Sequence, residues 1–262
     1  MSIRILQGDC RQVLKTLPDN SVDSVVCDPP YELGFMGKSW DSTGVANDVE
    51  TWRQCFRVLK PGGHLLAFSG TRTQHRMVCS IEDAGFEIRD QIGWVFGSGF
   101  PKSHNGDWGG TALKPAWEPI CMARKPLIGT VEANWREHGT GALWIDGGRV
   151  PLPRGSWVAE RGKTWLRSGE QRYDAEWQGP ERPLGTCADR VTDAGRWPAN
   201  LILDEAAGEM LDEQSGESVS SGGKGHKSHG MFLGDFICNG QNAGGLGDSG
   251  GASRFFYCAK AS

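Results

Sequence analysis

The sequence predicts an α/β fold, Rossmann-like in its alternation, with its ligand site beyond the carboxyl ends of the strands. Three observations carry this. Ser21-Val22-Asp23-Ser24-Val25-Val26-Cys27 is a strand-like run that ends in Asp28-Pro29-Pro30-Tyr31. Upstream, Ile3-Arg4-Ile5-Leu6 reads as a short strand closing on Gly8-Asp9. A helix-like stretch from Cys10 to Leu17, apolar at Val13, Leu14 and Leu17, joins the two. Downstream, the stripe Val49, Trp52, Phe56 and Leu59 predicts a helix over 48–59. Pro61-Gly62-Gly63 stops it, and His64 to Phe68 is the next strand.

The alternation continues along the chain. Ser69-Gly70-Thr71-Arg72 lies at the carboxyl end of that strand, on the same edge as Asp28, and Thr71 to Ala84 is the next helix. Arg72 reads either as a contact to a phosphate or cofactor or as a solvated helix-start arginine. Phe86 to Phe96 is a strand whose Trp94 and Phe96 share a face, an arrangement that suits core packing better than base stacking. Gly97-Ser98-Gly99-Phe100-Pro101-Lys102 is a loop at the same edge, with Phe100 and Lys102 its candidates for contact with a base or with DNA. Trp117 to Ala123 is a further strand, ended by Arg124-Lys125-Pro126. Glu32 to Ser42, with Gly34, Gly37 and Trp40, is either a mobile loop that closes over the site or a plain connection.

Asp28-Pro29-Pro30-Tyr31 is the most informative segment. A carboxylate and an adjacent carbonyl can each accept one N–H from an exocyclic amino group of a nucleobase. The amino nitrogen, whose lone pair is delocalised into the ring, is thereby drawn toward tetrahedral geometry and exposed to an electrophile. Pro29 and Pro30 fix φ and aim the acceptors in advance. Tyr31 offers a ring face for an extruded base. A strand-ending turn beside an ordinary aromatic is the plain alternative.

Gly8-Asp9-Cys10, Leu17-Pro18-Asp19-Asn20-Ser21-Val22-Asp23 and Cys27-Asp28-Pro29-Pro30-Tyr31 together resemble the amino-methylating DNA methyltransferases of the permuted, β-type order, in the form carried by phages and prophages. The likeness extends to Leu59-Lys60-Pro61-Gly62-Gly63, to Gly85-Phe86-Glu87, to Gly97–Ser103 and to Leu113-Lys114-Pro115-Ala116-Trp117-Glu118-Pro119. It covers about residues 1–128 and returns at 195–204 and 248–262. The resemblance implies a class I methyltransferase sheet and S-adenosylmethionine as cofactor. It also implies transfer to N6 of adenine in double-stranded DNA, with N4 of cytosine as the alternative, in a restriction-modification setting. It makes Asp28, Pro29, Pro30 and Tyr31 catalytic, with Asp28 and Asp9 toward the cofactor. It implies a catalytic region over 1–128, a target-recognition insertion over 129–247 and a return strand over 248–262.

The insertion differs in character from the rest. Residues 149–196 hold nine Arg/Lys, seven Asp/Glu and the tryptophans 157, 165 and 177, a pattern that suits either nucleic-acid contact or a solvated insertion. Arg196 to Leu203 returns to a strand-like pattern, with a short helix from Asp204 to Gln214, and Arg254 to Cys258 reads as a final strand. Gly245-Leu246-Gly247-Asp248-Ser249-Gly250 is a formal GxGxxG, but neither a strand before it nor a helix after it gives it the setting of a cofactor loop. In the methyltransferases that the chain resembles, a C-terminal Asp-Pro-Phe … Gly-rich segment holds the cofactor. No such segment occurs here, so an inactive DNA-binding remnant, a truncated enzyme and a half completed by a second polypeptide all remain expectations.

The bulk properties narrow the classes. A chain of 262 residues with a net charge of −4 and 38% hydrophobic residues can bury a core but carries no general basic grip on DNA. Cys10 and Cys27, the nearest pair of the eight cysteines, are 17 positions apart, so no zinc spacing and no disulfide framework is expected, and most of the thiols read as buried. No Pro-Cys dipeptide offers a covalent nucleophile of the kind used on cytosine C5. No run is apolar and long enough to span a bilayer, and the N-terminus lacks a signal-peptide pattern, which makes the cytoplasm the expected location.

Overall fold

The structure is a computed structural model that describes residues 3–34, 39–100, 103–151, 191–192, 195–219 and 249–259. The chain separates into two compact units, Met1–Leu143 with Asn200–Asp204 and Ala261–Ser262, and Trp144–Ala199 with Glu205–Lys260. The first carries the candidate site.

Its elements are α1 (Cys10–Val13), β1 (Val22–Cys27), α2 (Val49–Val58), β2 (Leu59–Phe68), α3 (Gln74–Asp83), β3 (Glu87–Val95), β4 (Trp117–Arg124), α4 (Val131–His138) and β5 (Leu201–Asp204). In space the strands run β1-β2-β4-β3-β5. β1 is parallel to β2 and β3 to β5, while β4 is antiparallel to both of its neighbours. The unit is thus an incomplete Rossmann-like α/β sheet. The carboxyl ends of β1, β2 and β3 and the amino end of β4 come to one edge, as the Rossmann-like reading expects.

α1, α2 and α3 form where the sequence pattern places them, for local reasons, while α4 lies in a stretch for which no helix is expected. Asp48 caps α2 by accepting the amides of Glu50 and Thr51. The apolar stripe of α2 then buries Trp52 and Cys55 with Leu59, Leu65 and Ala67 of β2 and Met77 and Ile81 of α3. Arg57 of α2 donates to the carbonyls of Leu14 and Leu17 at 2.8 and 2.9 Å and pairs with Asp19, which ties the turn before β1 onto the helix.

Several expectations are corrected. Ile3 to Leu6 forms no strand: Ile3 and Ile5 are 91% and 87% exposed, and among the described residues no strand pairs with them. An extended segment without a hydrogen-bonded neighbour has nothing to hold it as a strand. β2 begins at Leu59 rather than His64, running straight through Pro61-Gly62-Gly63. The pairing jumps from Val22↔Leu59 to Ser24↔His64, so a bulge absorbs the extra residues. Gly62 takes φ +76 there and donates its amide to the carbonyl of Lys125. Cysteine burial is mixed: Cys55 and Cys121 are buried, Cys27 and Cys258 half-buried, and Cys10 and Cys79 exposed. Among the described residues the two exposed thiols lie on α1 and α3, outside the buried core.

In the second unit, Val150 and Arg196 form a bridge, and Arg149 lies over the Trp197 ring at 5.2 Å. A helix spans Glu205–Ser215, close to the expected bounds. Its Asp212 accepts the amide and hydroxyl of Ser253 at 2.7 and 2.6 Å. That contact holds Ala252–Phe255 in a 3₁₀ turn, so the last strand is Tyr257–Ala259 and begins later than the expected Arg254. Trp157, Trp165, Trp177 and most of the basic residues of 149–196 lie outside the described residues, as do 245–248 of the GxGxxG match.

Candidate active site

β1 delivers Asp28 to the sheet edge because its last pairing, Cys27↔Ala67, ends one residue earlier. Pro29, which lacks an amide hydrogen, cannot extend the ladder. Asp28 is exposed, while Pro29, Pro30 and Tyr31 are half-buried. The chain then turns sharply. Glu32 takes φ +56, and its amide donates to the buried Asp41 carboxylate at 3.1 Å. On the other side, the hydroxyl of Thr73 donates to the carbonyl of Tyr31 at 2.6 Å. The motif is therefore fastened on both flanks.

Asp28, Phe68, Trp94, Phe96, Ser98, Glu118 and Asp204 line a cavity of about 580 Å³. Trp94 pairs directly with Glu118 across β3 and β4, so the two side chains lie on one face of the sheet. Asp204, at the end of β5, accepts the Gly97 amide at 3.1 Å and fixes the start of the loop after β3. A purine or pyrimidine fits a cavity of this size, with aromatic walls and carboxylates at its rim.

The Tyr31 phenol lies in the neighbourhood of the carboxyl groups of Asp28 and Glu118. Burial and the two carboxylates push its ionisation far above the ordinary phenol range, so it stays protonated. Glu118 is likewise pushed up, first by burial and then by the Asp28 charge. Burial drives the Cys27 thiol up to about 12, which removes the cysteine beside Asp28 as a nucleophile.

The other expected residues are placed differently. Asp9 caps α1 and its carboxylate is held by Arg11, which lowers its pKa to about 2. It lines a separate polar recess of about 230 Å³ with Lys15, Asp48 and Gln54. Arg72 is solvent-exposed in the turn before α3. Phe100 is 81% exposed and does not line the cavity, and Lys102 lies outside the described residues. Trp94 and Phe96, expected in the core, line the cavity instead, because the edge beyond them is open where β3 ends. Glu118, Asp204, Asp41 and Thr73 carry no signal of their own in the sequence. Glu118 stands inside the run Leu113–Pro119 that carries the resemblance, whereas Asp41, Thr73 and Asp204 fall within its wider span but in none of its motifs.

Residues 22–140 match the DNA methylase family (N6_N4_Mtase). The chain is 33% identical over 90 residues to YubD of Escherichia coli (strain K12), named as a methylase, covering 32% of this chain and 39% of that one. It is 31% identical over 109 residues to the type II methyltransferase M.HpaI of Haemophilus parainfluenzae, covering 39% and 35%. It is 28% identical over 140 residues to M.HinfI of Haemophilus influenzae, covering 46% and 38%. The chain thus spans little more than a third of the length of these relatives. Among solved structures, TTHA0409 of Thermus thermophilus, named as a DNA modification methylase, is 27% identical over 55% of this chain and 62% of that one, at a TM-score of 0.36. The stretch that is similar to DNA methylases, 22–140, is the stretch that supplies Asp28, Phe68, Trp94, Phe96, Ser98 and Glu118 to the cavity.

Proposed function

We propose that this chain carries the catalytic centre of an S-adenosylmethionine-dependent DNA methyltransferase that modifies the exocyclic N6 of adenine. The observation that carries the reading is the position of Asp28-Pro29-Pro30-Tyr31 at the carboxyl end of β1, with Asp28 lining a cavity that Phe68, Trp94 and Phe96 also line. The match to the DNA methylase family over the same residues supports it.

The target base leaves the duplex, since pairing blocks its amino group there. Asp28 and the Pro29 carbonyl each accept one amino hydrogen, which localises the nitrogen lone pair. Pro30 keeps the acceptors rigid and Tyr31 stacks the ring. The cofactor that the family implies supplies the electrophilic methyl group. Asp28 is exposed and is in no ion pair among those described, so it can face both base and donor. Asp9 is already committed to Arg11 and to its helix cap, so it fits a cofactor contact poorly. β1 ends the sheet with Val26 65% exposed, a setting that suits completion by a further segment or a second polypeptide.

The test is methyl transfer from S-adenosylmethionine to unmethylated double-stranded DNA, read by nucleoside mass spectrometry. N6-methyladenine that disappears in Asp28→Ala is the expected result. N4-methylcytosine would move the target base. Undiminished transfer by Asp28→Ala would remove this site from the chemistry.

A further inference from the structure

We propose that Ser98 is a specificity-determining residue of this site: its hydroxyl donates to a ring nitrogen of the base whose amino group is held by Asp28 and the Pro29 carbonyl. The proposal rests on the methyltransferase reading above for what enters the cavity.

The loop after β3 is held in place by its own chain. The Phe96 amide donates to the Ala116 carbonyl at 2.9 Å and carries the β3–β4 pairing one step past Val95. The next residue is held from both sides. The Gly97 amide donates to the Asp204 carboxylate at 3.1 Å, and the Gly97 carbonyl accepts from the Lys114 ammonium at 2.7 Å. Gly99 lies so close to the returning chain that a Cβ there would stand 1.9 Å from the Pro115 carbonyl oxygen, so only glycine fits. Ser98 stands between these two fixed residues. It is exposed, it lines the cavity, and its hydroxyl has no hydrogen-bond partner among the described residues.

The chemistry of the lining gives that hydroxyl its role. Asp28, Glu118 and Asp204 present carboxyl groups, which only accept when ionised, and Phe68 and Phe96 present rings. Adenine needs both kinds of partner. Its amino group donates, but its unsubstituted ring nitrogens only accept. Among the lining side chains the neutral donors are the Trp94 indole and the Ser98 hydroxyl. Trp94 is paired with Glu118 inside the sheet, so its ring forms a wall. Ser98 stands beyond the carboxyl end of β3, as Asp28 stands beyond that of β1. With β2 and β4 between those two strands, Asp28 and Ser98 approach a base from different sides. The amino group then lies toward Asp28 and a ring nitrogen toward Ser98. A site built to hydrogen-bond one atom of its substrate rejects the analogue that lacks it.

Nucleoside binding by the full 262-residue chain tests this apart from turnover. Equilibrium dialysis compares adenosine with 1-deaza-, 3-deaza- and 7-deazaadenosine, each of which replaces one ring nitrogen by C–H and keeps the amino group. The wild type is expected to bind one of the three about fivefold more weakly than adenosine, the scale of one neutral hydrogen bond. That difference should vanish in Ser98→Ala and persist in Ser98→Thr. Trp94→Phe, which keeps a ring and loses the indole N–H, should leave it in place. In methyl transfer to unmethylated DNA, Ser98→Ala is expected to lower kcat/KM by a similar factor at an unchanged melting temperature. A difference that survives Ser98→Ala, or a wild type that treats all four nucleosides alike, overturns the proposal. A wild-type chain that transfers no methyl group counts against the methyltransferase reading, while the deaza series still decides whether Ser98 reads the base.

Discussion

Thr73 donates its hydroxyl proton to the carbonyl of Tyr31 at 2.6 Å, across 42 residues of sequence. The turn that follows β2 is thereby tied to the motif that follows β1, and Tyr31 is anchored at its backbone. Thr73→Val keeps the shape and removes the donor. Methyl transfer should fall several-fold, since the lost bond is worth about 1 kcal/mol, while the melting temperature stays close to that of the wild type. A loss of transfer that only mirrors a loss of folded protein would refute this.

Gly70 lies beneath the same ring. A Cβ there would stand 3.1 Å from Tyr31 Cδ2 and 3.4 Å from its Cβ. That is tight enough to displace the ring by a few tenths of an ångström without breaking the fold. Gly70→Ala should therefore cost stability only about 1 kcal/mol, as small overpackings do, but it should slow transfer more than Thr73→Val does. Comparing the two variants by kcat/KM and by urea midpoint checks the order.

His64 gives a pH dependence whose sign follows from its surroundings. It sits on β2 between Ser24 of β1 and Arg124 of β4. Burial first, then the charges of Arg124 and Arg89, push its pKa below the ordinary 6.5. The folded state thus resists a proton that the unfolded chain accepts. Stability is complete above 6.5 and is lost as pH falls below it toward the depressed value. Denaturant midpoints measured between pH 7.5 and 5 should decline, and His64→Gln should flatten that decline. An unchanged slope in the variant would place the titration elsewhere.

The strand ending in Asp28 could be read from sequence because its residues are apolar in a short bounded run and its motif is local. The helix of α2 could be read for a similar reason, a four-residue stripe with an aspartate cap. Glu118, Asp204 and Asp41 could not be assigned roles that way. Glu118 faces Trp94 across the sheet, Asp204 accepts the Gly97 amide and Asp41 the Glu32 amide, and only the sheet order or the turn after Tyr31 brings these together. Ile3 to Leu6 failed for the opposite reason. Its alternation is right for a strand, but a strand is a property of a pair, and no described segment supplies the second member.

Asn134 has no signature in sequence at all, yet it is fully buried. Its amide nitrogen donates to the carbonyls of Pro61 and Thr140, both at 2.9 Å, and its oxygen accepts the Ile128 amide at 2.9 Å. One side chain thus joins α4, the bulge of β2 and the connection after β4. Gly62 makes room for it: a Cβ there would lie 2.5 Å from Asn134 Nδ2. Asn134→Ala takes a partner from the Ile128 amide and strands the carbonyls of Pro61 and the buried Thr140 without that donor, which should cost about 2–4 kcal/mol and lower the melting temperature by roughly 5–15 °C. Asn134→Asp is nearly isosteric but turns a donor into an acceptor aimed at two carbonyls, and it buries a charge, so it should destabilise more than alanine. Thermal unfolding of the three proteins at pH 7.5 decides it. If aspartate were better tolerated than alanine, the buried amide would be filling space rather than joining three segments by its hydrogen bonds.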